Sequence, residues 1–540
     1  MVRDVEKIWL KHYPQEVRPT LEYPEITLHE VLFQRAGEWP DNTAVIFGEH
    51  RINYRTLAGM VAAMANALQN LGIQKGDRVA LMMPNSPQFV IAYFAILQVG
   101  GIIVQTNPMY MERELEFQLK DSGAKAIILL DLLLPRLLAV KANTGVSLVI
   151  AAGFGQRNEA LPDGVLDFGE VLKKYPGQPA PVAVDPKNDT ALLQYTGGTT
   201  GVSKGVMLTH FNLMANMLQL KEWFVSQGPG QECMMGVLPF FHVFGMTACM
   251  NFAVYEASAM ILHARFDPKA VLDSVKQHKP TVFPAVPTMY VALNNHPEIK
   301  AAGMDGIRVC VSGGAALPVE VLERFVQLTG GNLVEAYGLS ETSPAALSNP
   351  VKGLRKPGSI GIPFPDTEYY LADLETGEPV PVGQPGEIAI RGPQVFKGYW
   401  QRPEETAQVL KDGWFFSGDI GRMDEDGFCF IIDRKKDLIL SGGYNVYPRD
   451  VEEVIYEHPK VLEATVVGHP DPYLGEKVKA YVVPKPGETL TAEEVINFCR
   501  EKLAAYKVPR EVEFLKELPK SAVGKILRRV LQSEGLKQAE

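Results

Sequence analysis

Residues 195–204 read Tyr-Thr-Gly-Gly-Thr-Thr-Gly-Val-Ser-Lys, a run of ten with three glycines, three threonines and a single lysine. The glycines let a loop turn its main-chain N–H groups inward, the threonines add hydroxyls, and Lys204 brings one mobile positive charge. That inventory suits a polyphosphate. The run is not a Walker A loop, in which Gly-Lys directly precedes Ser or Thr, because Lys204 stands between Ser203 and Gly205. A flexible surface turn would have a similar composition, so the flanking elements and the other motifs must decide.

Residues 190–195 read as a buried strand and 205–209 as a second, and His210 opens a helix with Leu213, Met217 and Leu220 on one face. The loop therefore sits between core elements. Upstream of about residue 190, segments alternate: helical over 52–71, a strand over 78–83, a helix from Pro87, a strand over 126–130. The apolar run 89–104 contains Gln98 and the pair Gly100-Gly101 and reads as a buried helix entering a strand, short of a membrane span. Such alternation argues for a doubly wound parallel sheet. Residues 162–186, richer in Pro, Gly and charge, read as a connection.

Strands resume at 281–283, 308–312 and 332–336, each ending in a small or polar turn. In open α/β sheets ligands bind at the carboxyl ends of strands, which makes these turns candidates for one crevice. Residues 352–433 break into short strands punctuated by Gly and Pro, a small β-rich subdomain. Residues 433–438 carry five charges in six positions and read as a solvent-exposed stretch or a hinge. The remainder reads as a compact α/β unit: a helix over 449–457, strands over 464–468 and 478–483, and a helix from Thr491, where Glu494 completes a capping box. Lys525 falls on the turn before a basic final helix.

Further motifs follow in order: Pro239-Phe-Phe-His242, Ser312-Gly-Gly-Ala315, Tyr337-Gly-Leu-Ser-Glu-Thr-Ser-Pro344, Trp414-Phe-Phe-Ser-Gly-Asp419, Asp433-Arg434, Ser441-Gly-Gly443, and residues 519–525. With the loop, they make nearly the whole chain resemble the acyl-adenylate-forming superfamily: acyl-CoA synthetases, adenylation domains and luciferases. The resemblance implies an α/β fold with a large N-terminal AMP-binding domain of doubly wound sheets plus a β-rich subdomain over 1–433. A small, mobile α/β C-terminal domain would occupy 434–540. It also implies a chemistry. A carboxylate is a poor electrophile, so its oxygen first attacks the α-phosphate of ATP to give acyl-AMP and pyrophosphate; the thiol of CoA then displaces AMP. In both steps the protein mainly positions reactants and stabilises negative charge.

Residue by residue, the resemblance implies that Thr196, Gly197, Gly198, Thr199, Thr200, Gly201 and Lys204 cradle the β and γ phosphates. Glu341 would help place Mg²⁺, itself held mainly by the phosphates, with Thr196 as a second contact. Asp419, helped by Arg434, would accept from the ribose hydroxyls. Gly313, Gly314 and Ala315 would give the adenine a flat ledge on which Tyr337 stacks, with Glu335, Ala336, Gly338 and Thr342 completing the nucleotide site. Lys525 would bridge carboxylate and α-phosphate oxygens, and His242 would close the acyl site before thioester formation. Lys436 matches the hinge about which the C-terminal domain swings, and Gly442 and Gly443 would line the route of the pantetheine arm. Taken singly, Asp419 also reads as a turn cap, Glu341 as a helix-start acid and His242 as a packed core histidine.

The segments Trp9-Leu-Lys-His-Tyr-Pro and Thr27-Leu-His-Glu-Val-Leu, and the Gly197-Gly198 pair, are similar to bacterial long-chain fatty acid CoA ligases. Residues 239–254, rich in Phe, Met and Ala, have the character an acyl tunnel requires, although ordinary core packing would look the same. At about 0.8 kcal/mol per buried methylene, such a tunnel could select strongly for length. The alternatives are a medium-chain or aryl acid CoA ligase, and a fatty acyl-AMP ligase that loads a carrier protein. A non-catalytic lipid-binding relative would tolerate loss of Glu341, Asp419 or Lys525, and all three are present. Ser203 stands where the family commonly has proline.

The chain of 540 residues is 46% hydrophobic with a formal charge of -10, which argues against nucleic acid bound through a basic surface. Its five scattered cysteines include no Cys-x-x-Cys pair, a reducing-compartment pattern without a zinc site or disulfide framework. The first residues carry no signal-peptide pattern. The expectation is a cytoplasmic enzyme acting on fatty acid, ATP and CoA. Peripheral attachment to a membrane stays open, and a homodimer is carried only by analogy with the family.

Overall fold

The apolar run after Ser86 becomes a helix, Pro87–Gln98, because Ser86 accepts the Phe89 N–H at 3.2 Å and Pro87 fits the first turn. Gly100, with φ +68, turns the chain directly into strand Ile102–Gln105. The structure is a computed structural model that describes residues 6–155, 160–196, 203–434, 437–441, 444–471, 473–521 and 524–532.

Among the described residues the strands form four sheets. In the first, Thr190–Thr196 lies parallel to Ile102–Gln105, followed outward by Arg78–Met82, Ala126–Leu130, Leu148–Ala152 and Val165–Asp167; Lys204–Thr209 and then Gly398–Tyr399 close the other edge antiparallel. In the second, Ala259–Leu262, Cys233–Gly236, Val282–Ala285, Val309–Ser312 and Leu333–Gly338 run parallel. One core joins the two: Val79 and Ile103 from the first sheet and Val282 and Val309 from the second share a cluster with the helices Pro87–Gln98 and His210–Trp223. The third sheet is antiparallel, Glu368–Ala372, Pro385–Arg391 and Trp414–Met423, with Cys429–Arg434 added to the last. The fourth, built on Val461–Asp471 and Gly475–Pro484, has its own core around Val451, Ile455, Val466 and Val478. This is the expected α/β plan of doubly wound sheets, β-rich subdomain and small α/β unit.

Local differences from the sequence reading have local causes. The expected helix over 52–71 begins at Tyr54, because Ile52 and Asn53 end the hairpin strand His50–Asn53 and Asn53 caps the helix through the Thr56 N–H. The connection over 162–186 holds a strand, Val165–Asp167, and a helix, Phe168–Lys174, whose apolar residues Phe168 and Val171 reach the core. Residues 433–438 are not uniformly exposed, since Asp433 is buried and bonded to main-chain N–H groups of Arg434 and Arg449. The capping box at Thr491 and Glu494 forms as read, heading helix Ala492–Lys502. Residues 239–254 turn through a short helix, a π-helical turn Met246–Asn251 and helix Phe252–Tyr255. Their side chains join the common core, with Phe240 against Phe89 and Met246 near the Gln105 amide. No helix among the described residues is long and apolar enough to cross a membrane.

Candidate active site

The ends of the glycine-rich loop are anchored by β pairing, with Thr196 opposite Lys204. Ser203, in the proline position, donates its hydroxyl to the Thr196 carbonyl at 2.6 Å and so draws those ends together. Gly197, Gly198, Thr199, Thr200 and Gly201 lie outside the described residues, as do Lys436, Gly442 and Gly443. Lys204 pairs with Glu405 on helix Pro403–Val409, and its ammonium lies 5.2 Å from the centre of the Tyr399 ring. Glu405 also has Arg402 nearby, Nε at 3.6 Å, and Arg402 reaches Asp121, which accepts from the Tyr195 hydroxyl at 2.7 Å.

The carboxyl ends of three parallel strands converge as expected. Ser312 pairs with Glu335 in register, which sets Gly313 beside Ala336. A Cβ on Gly313 would fall 3.3 Å from the Ala336 carbonyl and 3.1 Å from the Phe244 ring, so glycine is what permits this approach. Gly314 continues with φ +81, beside the Val286 side chain. Gly338 is far more constrained, since a Cβ there would lie 1.8 Å from the Pro344 carbonyl. Thr342 holds the following turn by accepting the Leu339 N–H at 2.9 Å.

Three side chains from three strands meet next. Tyr337 donates its hydroxyl to Asp419 Oδ2 at 2.7 Å, and Arg434 Nε stands 3.1 Å from Asp419 Oδ1. Asp419 and Arg434 are direct partners across strands Trp414–Met423 and Cys429–Arg434. Asp419 is thus a buried, charge-paired acceptor beside an aromatic ring and not a turn cap.

Glu341 is also buried; its Oε1 accepts from the Tyr399 hydroxyl at 2.8 Å and its carbonyl from the Phe396 N–H at 2.9 Å. Burial raises its pKa, opposed first by the Tyr399 hydrogen bond. Tyr399 pairs with Val206 on the strand that Lys204 begins. Glu341 is therefore fixed to the strand that follows the glycine-rich loop, through one tyrosine that also faces Lys204. Glu335 accepts the Leu317 N–H at 3.0 Å, and burial pushes its carboxyl up to about 7, opposed by Arg449.

His242 accepts the Phe244 N–H at Nδ1, 3.3 Å away. Burial and then the charge of Lys525 push its pKa down to about 4, so the ring is neutral near pH 7. Lys525 therefore lies near enough for its charge to act on His242. Its turn docks on the first turn of helix Pro287–Asn294, where Thr288 donates to the Gly524 carbonyl at 3.2 Å. Gly524 has φ +77, and a Cβ there would lie 2.9 Å from both Thr288 Oγ1 and Val286 Cγ2.

Sequence reasoning missed Tyr399, Glu405 and Thr288. Tyr399 is one of 19 tyrosines and Glu405 one of two adjacent acids in a helix, and neither carries a spacing signal toward Glu341 or Lys204. Among the described residues no cluster of three or more His, Cys, Asp or Glu could hold a metal by itself.

Residues 32–400 match the family described as AMP-binding enzyme, and residues 450–525 match the C-terminal domain of that family. A long-chain-fatty-acid–CoA ligase of Bacillus subtilis is 46% identical over 549 aligned positions, covering 98% of each chain. Among solved structures, the anthranilate CoA ligase AuaEII in complex with anthranoyl-AMP aligns with a TM-score of 0.88 at 27% identity, covering 96% of this chain and 99% of that one. ATP-bound MatB from Rhodopseudomonas palustris aligns with a TM-score of 0.86 at 32% identity, covering 95% and 99%.

Proposed function

Because this chain belongs to the AMP-binding enzyme family, we propose that it converts a long-chain fatty acid to its CoA thioester in two steps. The fatty carboxylate attacks the α-phosphorus of ATP; a P–O bond forms, the bond to the β-phosphate oxygen breaks, and pyrophosphate leaves. The CoA thiol then attacks the acyl carbon, loses its proton and expels AMP. The observation that carries the reading is the Tyr337–Asp419–Arg434 triad beside the Gly313 ledge, a flat aromatic surface with a paired carboxylate suited to adenine and ribose.

Within this reading Asp419 accepts from the ribose hydroxyls while Arg434 stays paired with it. The ledge of Gly313, Gly314 and Ala315 with Glu335, Ala336, Tyr337, Gly338 and Thr342 receives the adenine. Lys204 exchanges Glu405 for the terminal phosphates when ATP enters, together with Thr196 and residues 197–201. A lone buried carboxylate beside the phosphate loop fits Mg²⁺, which characteristically takes one or two protein carboxylates and completes its shell with substrate phosphates and water. Glu341 would hold it, with Thr196, and the ion would screen the phosphate charge. Lys525 stabilises the charge on the α-phosphate and carboxylate oxygens in the first step. His242, neutral at physiological pH, closes the acyl site, and Gly442 and Gly443 flank the pantetheine route after rotation about Lys436. We place the division between the two domains at 433/434. A cytoplasmic location, peripheral contact with the membrane that supplies the acid, and a homodimer belong to this reading by family analogy.

The test is AMP release from the purified protein with ATP and Mg²⁺ against acetate, octanoate, palmitate, oleate and 4-coumarate, each with and without CoA. CoA-dependent thioester formation that peaks at palmitate or oleate is expected. A peak at 4-coumarate would favour the second reading, an aryl acid ligase, which the likeness to an anthranilate CoA ligase motivates. Pyrophosphate release without any thioester would indicate a carrier-loading ligase.

A further inference from the structure

Helix Pro448–Tyr456 belongs to the C-terminal unit by its packing: Val451 and Ile455 lie in the core with Val466, Val478 and Val495. Its first turn is bonded elsewhere. The Arg449 guanidinium donates from Nη1 to the Ile431 carbonyl and from Nη2 to the Gly358 carbonyl, each at 3.3 Å. The Arg449 N–H donates to Asp433 Oδ2 at 3.1 Å. Nε lies 3.5 Å from Oε1 of Glu453, one turn on, whose Oε2 accepts from the Val319 N–H at 3.5 Å.

Arg449 is only 8% exposed, and its charge acts on Glu335, 3% exposed, on the strand that continues into Ala336 and Tyr337. One Glu335 oxygen is held by the Leu317 N–H; the other, Oε2, makes no hydrogen bond among the described residues. Two main-chain carbonyls thus accept from one planar cation that comes from the other unit, and its charge also favours the ionised form of Glu335. A guanidinium can serve two carbonyls in fixed directions at once, whereas an ammonium is a single point charge. Swinging the helix away would strand both carbonyls and leave Glu335 without its cation, which is costly for buried groups.

We infer that Arg449 is a positioning residue that docks the C-terminal unit in the orientation bringing Lys525 to the His242 side of the crevice, serving acyl-adenylate formation and not thioester formation. The inference rests on the two-step reading above. Docking then includes Arg449 on the Gly358 and Ile431 carbonyls and on Asp433, Glu453 on the Val319 N–H, Arg528 on Asp433, and the Gly524 turn on Thr288.

The test compares full-length wild type, Arg449→Gln and Arg449→Lys in two assays: single-turnover palmitoyl-AMP formation without CoA, and palmitoyl-CoA formation from supplied palmitoyl-AMP and CoA. Arg449→Gln is expected to slow the first by about ten- to hundredfold, the loss of hydrogen bonds from a charged donor, and to leave the second within about twofold. Arg449→Lys, which keeps the charge and loses the fork, should fall between. Thermal melting reports folding, and if Arg449→Gln does not fold, Arg449→Lys carries the same comparison. Equal losses in both assays, or no loss in the first, would overturn the role of Arg449. Wild type that forms no acyl-AMP from any acid would overturn the two-step reading itself, and the inference with it.

Discussion

The Tyr399 hydroxyl donates to Glu341 Oε1 at 2.8 Å, and the same ring lies 5.2 Å from the Lys204 ammonium. One side chain therefore links the carboxylate proposed to face Mg²⁺ with the lysine proposed to face the terminal phosphates. This explains how Glu341 can be buried and still serve as an anion: the tyrosine supplies a donor that favours its ionised form.

Tyr399→Phe removes that donor and nothing else of size. Loss of a hydrogen bond to a buried carboxylate should lower kcat/KM for ATP by about tenfold. The acid limb of adenylation should also move to higher pH, because Glu341 would hold its proton longer. Initial rates of pyrophosphate release against ATP, Mg²⁺ and pH would show both effects; an unchanged pH profile would mean that Glu341 does not act as an anion in this step.

Lys525→Ala should slow acyl-AMP formation by about 10² to 10³, the usual loss for one preorganised charge-stabilising donor. Thioester formation from supplied acyl-AMP should be largely spared. Rapid-quench measurement of each half-reaction decides this, and equal loss in both would end the proposed division of labour.

Gly524→Ala tests the docking of that lysine. The left-handed φ of +77 costs a side chain about 1 kcal/mol, and the new Cβ would press on Thr288 and Val286 at 2.9 Å. Relief requires those two side chains to shift or the turn to lift off helix Pro287–Asn294. Adenylation should fall about tenfold or more, while melting temperature, which this turn touches only through Val286 at the edge of one core, shifts less. Thr288→Val, which deletes only the bond to the Gly524 carbonyl, should give a smaller loss in the same assay.

What was legible in the sequence was whatever has a local period or a local constraint. Strands Thr190–Thr196 and Lys204–Thr209 and helix His210–Trp223 fell where their apolar spacing put them. Ile52 and Asn53 were misread because a short strand of exposed and half-exposed residues preceding a long amphipathic helix carries no period of its own. Tyr399, Thr288 and Arg449 were illegible for another reason. Each acts through a partner dozens of residues away or more, at Glu341, Gly524 and Gly358, and only the fold brings such pairs together.

Glu335→Gln separates the electrostatic cost of the domain junction from its shape. Burial holds the Glu335 carboxyl at about 7 against an ordinary value of 4.5, with Arg449 opposing the shift. Between those pH values the folded protein keeps a proton that the unfolded chain has released. Stability contributed by this group is therefore full below about pH 4.5, falls as pH rises towards 7, and is level above. Glutamine has no proton to lose and can still accept the Leu317 N–H, so E335Q should gain on wild type across that window by up to about 3 kcal/mol. Melting temperatures of the two proteins measured side by side from pH 4.5 to 8 would show the difference opening as pH rises. A constant difference would mean that Glu335 stays ionised throughout, held by Arg449 more tightly than its burial opposes.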